Sequence, residues 1–330
     1  MMKNNKSTWQ FKRSLRCASG VLLLALHGIQ AHAAYPERPI RLVVPFPPGT
    51  STDVTTREFT PRLGQILGQP ILVDNQAGGG GIVGTLAVAK ALPDGYTLLL
   101  ASVSHATRVS MQKLPYDTLN DFAPVARLGS AQFVLVVSPE VSAKSIQELL
   151  AIGKARPGAL NYASTGNGTM GHLAGAQLES LAGVKAVHVP YKGIAQATAD
   201  IISGRVTMIF YPWAGVAPLV KAGKLRLLAT TGERRASFLP DVPTMAESGV
   251  TNFLAATWHG IYAPAQTPKA IIDTLYSAFA ETIKDPAIVA SMQRGGTDPA
   301  LASPEEFAAF TRSEIDRYRI LIERSGAKAE

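Results

Sequence analysis

Ile40-Arg41-Leu42-Val43-Val44 runs straight into Pro45-Phe46-Pro47-Pro48-Gly49-Thr50-Ser51-Thr52-Asp53. The first five residues read as a β-strand that is apolar on both faces, the pattern of a parallel strand covered by helices. Beyond the loop, Val54, Phe59, Leu63 and Leu67 recur at roughly helical spacing. The stretch is therefore a strand, a tight loop and a helix. The prolines fix the approach, Gly49 permits a positive φ, and Ser51 or Thr52 can cap the helix. A helix that begins here directs its first N–H groups off the end of the strand, with roughly +0.5 charge. That makes an anion site without a cationic side chain. The plain alternative is ordinary capping, with Asp53 favouring the helix dipole. Phe46, Pro48, Gly49, Thr50, Ser51, Thr52 and Asp53 are the candidate ligand residues of this loop. Pro61 falls inside the helical pattern and is expected to kink or split it.

The same alternation extends outward from this unit. Residues 70–74 read as a second strand, 81–92 as a second helix and 97–102 (TLLLAS) as a third strand. A β-α-β-α-β order implies right-handed crossovers and a doubly wound sheet. A second set follows, with strands at 133–138, 161–164, 186–190, 206–211 and 225–231 and helices between them. Residues 254–263 read as a further strand, and the tail reads as helical. Ser303-Pro304-Glu305-Glu306 is a capping box with proline at the first helical position, so a helix starts there. The fold class is α/β: two doubly wound lobes with a central cleft.

In open α/β sheets, ligands sit beyond the carboxyl ends of the strands. That directs attention to a second loop, Ser164-Thr165-Gly166-Asn167-Gly168-Thr169, which runs into His172. Its glycines let backbone approach a ligand, and Ser164, Thr165 and Thr169 offer hydroxyls. Two such loops, one per lobe, describe a carboxylate gripped between two helix N-termini. For His172, capping or packing weighs as much as ligand contact. Ser102 ends the third strand and joins the candidates, as do Tyr191 and Tyr211. Asp200, late in the helical pattern before Arg205, reads either as a contact to a ligand amine or hydroxyl or as part of a surface or interlobe salt bridge. Tyr211-Pro212-Trp213 reads as a pocket wall, with core packing the alternative for Trp213.

Composition narrows the function. The chain has 330 residues, 46% of them hydrophobic and 17% charged. That excludes disorder as the main state and suits about two domains. Its formal charge of +8 invites a nucleic-acid reading, but much of that charge lies in the first 33 residues. Lys3, Lys6, Lys12, Arg13 and Arg16 precede an apolar run over residues 17–29, and Ala31-His32-Ala33 follows. This is the layout of a secretory signal peptide cleaved after Ala33, which sends the protein to the periplasm. Cys17 opens the apolar run instead of following it, so no lipid anchor is expected. The leader holds five of the 32 basic residues and none of the 24 acidic ones, leaving 27 against 24, about +3. No basic cluster with interleaved aromatics remains, so no nucleic-acid partner is expected.

Catalytic and cofactor motifs fare no better. Residues 79–84 and 166–171 match G-x-G-x-x-G, but neither has the acidic residue about 20 positions on that a ribose needs. There is no G-x-S-x-G elbow. His105, His172, His188 and His259 form no H-x-x-x-H or H-E-x-x-H unit. No cofactor, metal or catalytic residue is therefore expected, and the chain reads as a binding protein.

Motifs spread along the whole chain carry a resemblance. They include Tyr35-Pro36-Glu37-Arg38-Pro39-Ile40, the loop of residues 45–53, and Pro93-Asp94-Gly95-Tyr96-Thr97-Leu98. Leu160-Asn161-Tyr162-Ala163-Ser164, Gly171-His172-Leu173-Ala174-Gly175 and His188-Val189-Pro190-Tyr191-Lys192-Gly193 follow in the second set, and Leu239-Pro240-Asp241-Val242-Pro243-Thr244 comes later. In this order and spacing the chain resembles the periplasmic solute receptors of tripartite tricarboxylate transporters, also called Bug receptors. The resemblance implies a periplasmic-binding-protein-like (type II, Venus flytrap) fold. It implies that the chain crosses to the second lobe near Gly129 and returns near Trp258. The boundaries expected are 1–33 for the leader, 34–130 and 258–330 for lobe 1 with the C-terminal helices, and 131–257 for lobe 2. Such receptors bind small organic anions, here a di- or tricarboxylate, an aromatic acid or an acidic amino acid. They do so through backbone N–H groups, hydroxyls and waters, the two ligand loops mapping onto residues 46–53 and 164–169. The partners implied are inner-membrane transporter subunits or a sensor protein, and the receptor is expected as a monomer. The chain departs from the family pattern at Thr50, where a second glycine is usual, at Thr207, where an acid is frequent, and at Pro61.

Overall fold

Strand β1 (Ile40–Val44) is fully buried except at Arg41, as its apolar run requires. It lies between two parallel neighbours, β2 (Ile71–Asn75) and β3 (Thr97–Ala101). The computed structural model describes residues 35–191 and 193–325, so the predicted leader lies outside the described residues. Helices α1 (Ser51–Leu67), α2 (Ile82–Ala89) and α3 (Val103–Met111) follow the three strands in turn. Phe59 and Leu63 of α1 are buried in the core, whereas Val54 is 46% exposed and turns away from it.

The second lobe repeats the plan. Strand β5 (Leu160–Ser164) pairs in parallel with β6 (Ala186–Pro190) and β7 (Met208–Pro212). Helices α4 (Ile146–Ala155), α5 (Met170–Ala182), α6 (Ile194–Ile202) and α7 (Trp213–Lys221) accompany these strands. With β4 spanning Phe122–Val137 and β9 spanning Ala256–Pro264, the main strand order across the molecule is β2-β1-β3-β9-β4-β7-β5-β6. Each lobe thus carries a parallel trio with its first strand in the middle, 2-1-3 and 6-5-7. In each trio the chain order reverses beside the central strand, which creates one switch point per lobe. β2 and β6 are the outer strands, which explains why Leu72 and Val187 are each 54% exposed despite their apolar runs.

The two trios are joined by one long strand. β4 (Phe122–Val137) has 16 residues and takes part in both sheets. Through Gln132 it pairs antiparallel with β9 (Ala256–Pro264), and from Phe133 onward with β7. β8 (Arg226–Thr230) and β10 (Thr297–Ala302) also pair with β4, one in each sheet. Thr231 ties the junction, donating its N–H to the Phe133 carbonyl at 3.0 Å and its hydroxyl to the Ala255 carbonyl.

The tail consists of α8 (Lys269–Thr282), α9 (Pro286–Arg294) and α10 (Pro304–Ser325). It is not wholly helical, because β10 lies between α9 and α10. The sequence TDPALA carries a proline and gives little strand signal. It becomes a strand by adding to the side of β4, with a register shift between Pro299 and Ala302. The capping box forms as read: the Glu306 N–H donates to Ser303 Oγ at 3.2 Å and the Ser303 N–H to Glu306 Oε2 at 2.8 Å. Pro61 neither splits nor ends α1, which runs through it as one helix of 17 residues. The proline sits on the exposed face, where its ring displaces no core side chain.

Helix α5 lies very close to β5. A Cβ added at Gly175 would stand 2.0 Å from the Tyr162 ring, which is itself buried in the core. Gly175→Ala is therefore expected to cost about 1–3 kcal/mol through overpacking. Urea unfolding checks this; unchanged stability would mean that α5 can lift off the sheet freely.

Candidate ligand-binding site

Four helices begin where strands of the two trios end: α1 after β1, α3 after β3, α5 after β5 and α7 after β7. Their N-cap residues are Thr50, Ser102, Thr169 and Pro212. All four line one cavity of about 660 Å³. Phe46, Gly49 and Thr52 line it from the first loop, and Thr165 from the second. Tyr211 lines it from the end of β7. No Asp, Glu, Lys, Arg or His lines this cavity among the described residues. Each helix start carries roughly +0.5 charge, so the four sum to about +2 without any cationic side chain.

The first loop is held from behind. Thr50, one residue earlier than the expected caps, is the N-cap: its Oγ1 accepts the Asp53 N–H at 3.4 Å and donates to the Pro47 carbonyl at 2.9 Å. The Thr50 side chain thus acts in the turn itself. Gly49 has φ +81°, a conformation natural to glycine, and its N–H donates to Asp53 Oδ2 at 2.9 Å. Asp53 does not line the cavity. Its carboxylate also receives Arg57 Nε at 3.0 Å and Asn75 Nδ2 at 2.9 Å. Burial alone would raise its pKa, but the Gly49 N–H, Arg57 and Asn75 together hold it below the usual carboxylate value. Asp53 is an ionised anchor for the loop. Pro48 lies outside the lining, and the Ser51 side chain lies outside the described residues.

The second loop has its own support. Ser164 is almost fully buried; its Oγ bonds within the loop to the Gly166 carbonyl and N–H and shares a 2.6 Å hydrogen bond with His188 Nε2. His172 stacks on His188 with ring centroids 4.0 Å apart, and its Nδ1 accepts the Gly168 N–H at 3.0 Å. This pair borders a separate cavity with Tyr162 and Glu179, so His172 props the loop from beneath. Thr169 donates its hydroxyl to the Gly166 carbonyl at 2.8 Å and leaves the N-terminus of α5 without a side-chain cap. Ser164, Gly166, Asn167, Gly168 and His172 are not among the cavity-lining residues.

Tyr191 and Asp200 pair with each other instead. The Tyr191 hydroxyl donates to Asp200 at 2.8 Å, and Arg205 bonds the other carboxylate oxygen at 2.8 Å. Trp213 is buried in the second lobe's core. Thr207 clamps β5 to the start of β7 through Asn161, its N–H donating to Asn161 Oδ1 at 2.6 Å. Sequence reasoning missed several walls. Val54, Val103, Phe133, Met170, Phe210 and Thr257 line the cavity, and Gly295 reaches it from the tail. A Cβ added at Gly215 would stand 2.3 Å from the Tyr211 ring, so this glycine lets the tyrosine lie flat against the start of α7. Of these, only Val54 stood out in the sequence, and its helical spacing grouped it with the core residues Phe59 and Leu63.

A two-lobed α/β protein whose strand ends converge on one uncharged cleft belongs to the class of periplasmic binding proteins. Residues 55–327 match the family model described as the tripartite tricarboxylate transporter family receptor. The chain is 37% identical over 313 residues to protein BugT of Bordetella pertussis, spanning 93% of this chain and 96% of that one. Among solved structures, Rpa4515 of R. palustris with adipate is 31% identical, with TM-score 0.78, covering 89% of this chain and 99% of its own. MatC of Rhodopseudomonas palustris with bound malate is 28% identical, with TM-score 0.72, covering 87% and 100%. The chain belongs to the tripartite tricarboxylate transporter receptor family, and it is a solute receptor.

The histidines make stability depend on pH. Burial pushes His105, His188 and His259 down to about 4, with the charge of His172 adding at His188. A histidine whose pKa is lowered on folding binds fewer protons folded than unfolded. Its neutral form is fully accommodated above about pH 6.5, and stability falls as pH drops from about 6.5 towards 4. Melting temperature measured across that window is expected to decline steadily; a flat profile down to about pH 5 would contradict the buried neutral assignment.

Proposed function

We propose that this receptor captures a small organic dicarboxylate between its lobes, as a monomer in the periplasm, and delivers it to the membrane subunits of a tripartite tricarboxylate-type transporter. The observation that carries this reading is the convergence of four helix N-termini on a cavity lined by no charged side chain. A summed charge of about +2, spread over both lobes, matches two carboxylates better than one. The adipate and malate held by the two relatives are both dicarboxylates, which supports the same chemistry here. The lobe limits proposed are residues 34–130 with 258–330, and residues 131–257. Closing the lobes on a dianion joins the helix starts of both, so ligand contacts favour the closed state.

Catalysis is not part of the proposal. Tyr211 is the one titratable side chain lining the cavity among the described residues, and burial raises its pKa further from neutrality. No group there is poised to carry a proton. The hydroxyls of Thr50, Thr52, Ser102, Thr165 and Thr169 serve as ligand contacts, directly or through water.

Charge-assisted hydrogen bonds of about 1.5–3 kcal/mol each, less association costs, give a Kd of about micromolar. A thermal-shift panel of succinate, malate, adipate and citrate against acetate and butyrate tests the reading. At about 1,000 times Kd, ligand linkage supplies about 4 kcal/mol, which raises the melting temperature by several degrees. Dicarboxylates are expected to shift it and monocarboxylates to shift it less. No response to any diacid would overturn the proposal. Thr165→Trp, which fills the cleft, should abolish the shift. N-terminal sequencing of exported protein should begin at Ala34.

A further inference from the structure

A second cavity, of about 450 Å³, lies behind the strand junction. Gln132 of β4 borders it, whereas the next residue, Phe133, borders the ligand cleft. Successive strand residues face opposite sides, so the two cavities lie on opposite faces of the same ribbon. Thr257 of β9 borders both. The rear cavity also draws on both sheets, with Asp298 from β10 on one side and the loop after β8, with Arg234 and Ser237, on the other.

Its charges are mostly spent. Arg317 pairs with Glu314 at 2.8 Å, and Glu314 also accepts Trp258 Nε1 at 3.1 Å. Arg235 pairs with Glu247 at 3.0 Å. Asp298 accepts the Ser237 hydroxyl and, at 3.3 Å, Gln132 Nε2. That leaves Arg127 and Arg234 against Glu233 and Asp298, so the remaining charges balance. Arg127 is half-buried and stacks on Phe310, 4.4 Å from the ring centre. Its Nε is buried with no acceptor, and the side chain makes no ion pair among the described residues. A buried cationic donor left without an acceptor is costly unless something else supplies one. The surrounding walls are mixed, with Trp258, Phe310, Leu254 and Pro299 beside the polar groups.

We infer that this rear cavity is a second ligand site, which takes a small monocarboxylate with an apolar body. The planar fork of Arg127 matches a carboxylate, and Arg234 adds a second cation at the rim. The aromatic and aliphatic walls take the body of the acid. With the cavity's charges balanced, and with Glu233, Asp298 and Glu314 nearby, a dianion is disfavoured, so the two cavities select different ligands. An occupant here touches both sheets at their junction, and any effect it has on cleft affinity must be returned equally by the cleft ligand. The inference does not depend on what the front cleft binds.

The probe is 4-fluorobenzoate, followed by fluorine NMR and calorimetry on the full-length protein and three variants. Thr165→Trp fills the front cleft and is expected to keep the affinity within about twofold of wild type, because the rear wall is untouched. Arg127→Met keeps the stem against Phe310 and removes the fork, with an expected loss of about tenfold or more. Arg234→Ala, at an exposed position, is expected to lose about threefold and serves if Arg127→Met does not fold. No binding to wild type overturns the inference. So does binding that disappears in Thr165→Trp, since the front cleft then accounts for it. So does binding that neither arginine variant weakens.

Discussion

A helix that follows a parallel strand must start at the strand's carboxyl end, and its first N–H groups then have no partner in the helix. The rest of this molecule is arranged around that constraint. Two parallel trios are set on one shared ribbon, so that four such starts meet over a single cavity. Nothing charged is needed on the walls. The charged residues stand one layer back: Asp53 fixes the first loop, and Tyr191, Asp200 and Arg205 form a separate set in the second lobe. The stacked pair of His172 and His188 does the same work under the second loop with neutral rings.

Much of the fold was legible because its strands are short apolar runs between glycine- and proline-rich turns. The capping box at Ser303 was legible because it is complete within four residues. β10 was not, because its strand character comes from β4, far away in sequence. The continuity of α1 through Pro61 was hidden too, since the proline's cost depends on which face it occupies. Periodicity placed Val54 with the core stripe, yet the first turn of α1 faces the cleft.

The site was legible at the two loops rich in glycine and hydroxyls. The helix starts of α3 and α7 gave weaker signals. Ser102 offers one hydroxyl, and Pro212 caps with no polar side chain at all. The roles within the loops were also beyond local reading. Whether Asp53 points at a ligand or at its own loop depends on Asn75, which lies on the neighbouring strand β2. Phe133, Thr257 and Gly295 reach the cavity only because β4 pairs with β9 there and the tail returns beside them.

Recognition through main-chain N–H groups, as proposed for this cleft, would carry an evolutionary consequence. A main-chain donor is encoded by no particular codon, and among the ordinary amino acids only proline removes it. Side chains such as Phe46, Val54, Tyr211 and Thr257 are therefore free to drift, reshaping the cavity for a longer, shorter or bulkier acid while the attraction for negative charge persists. Such a scaffold can be copied many times in one genome and retuned for different nutrients without first losing the ability to bind.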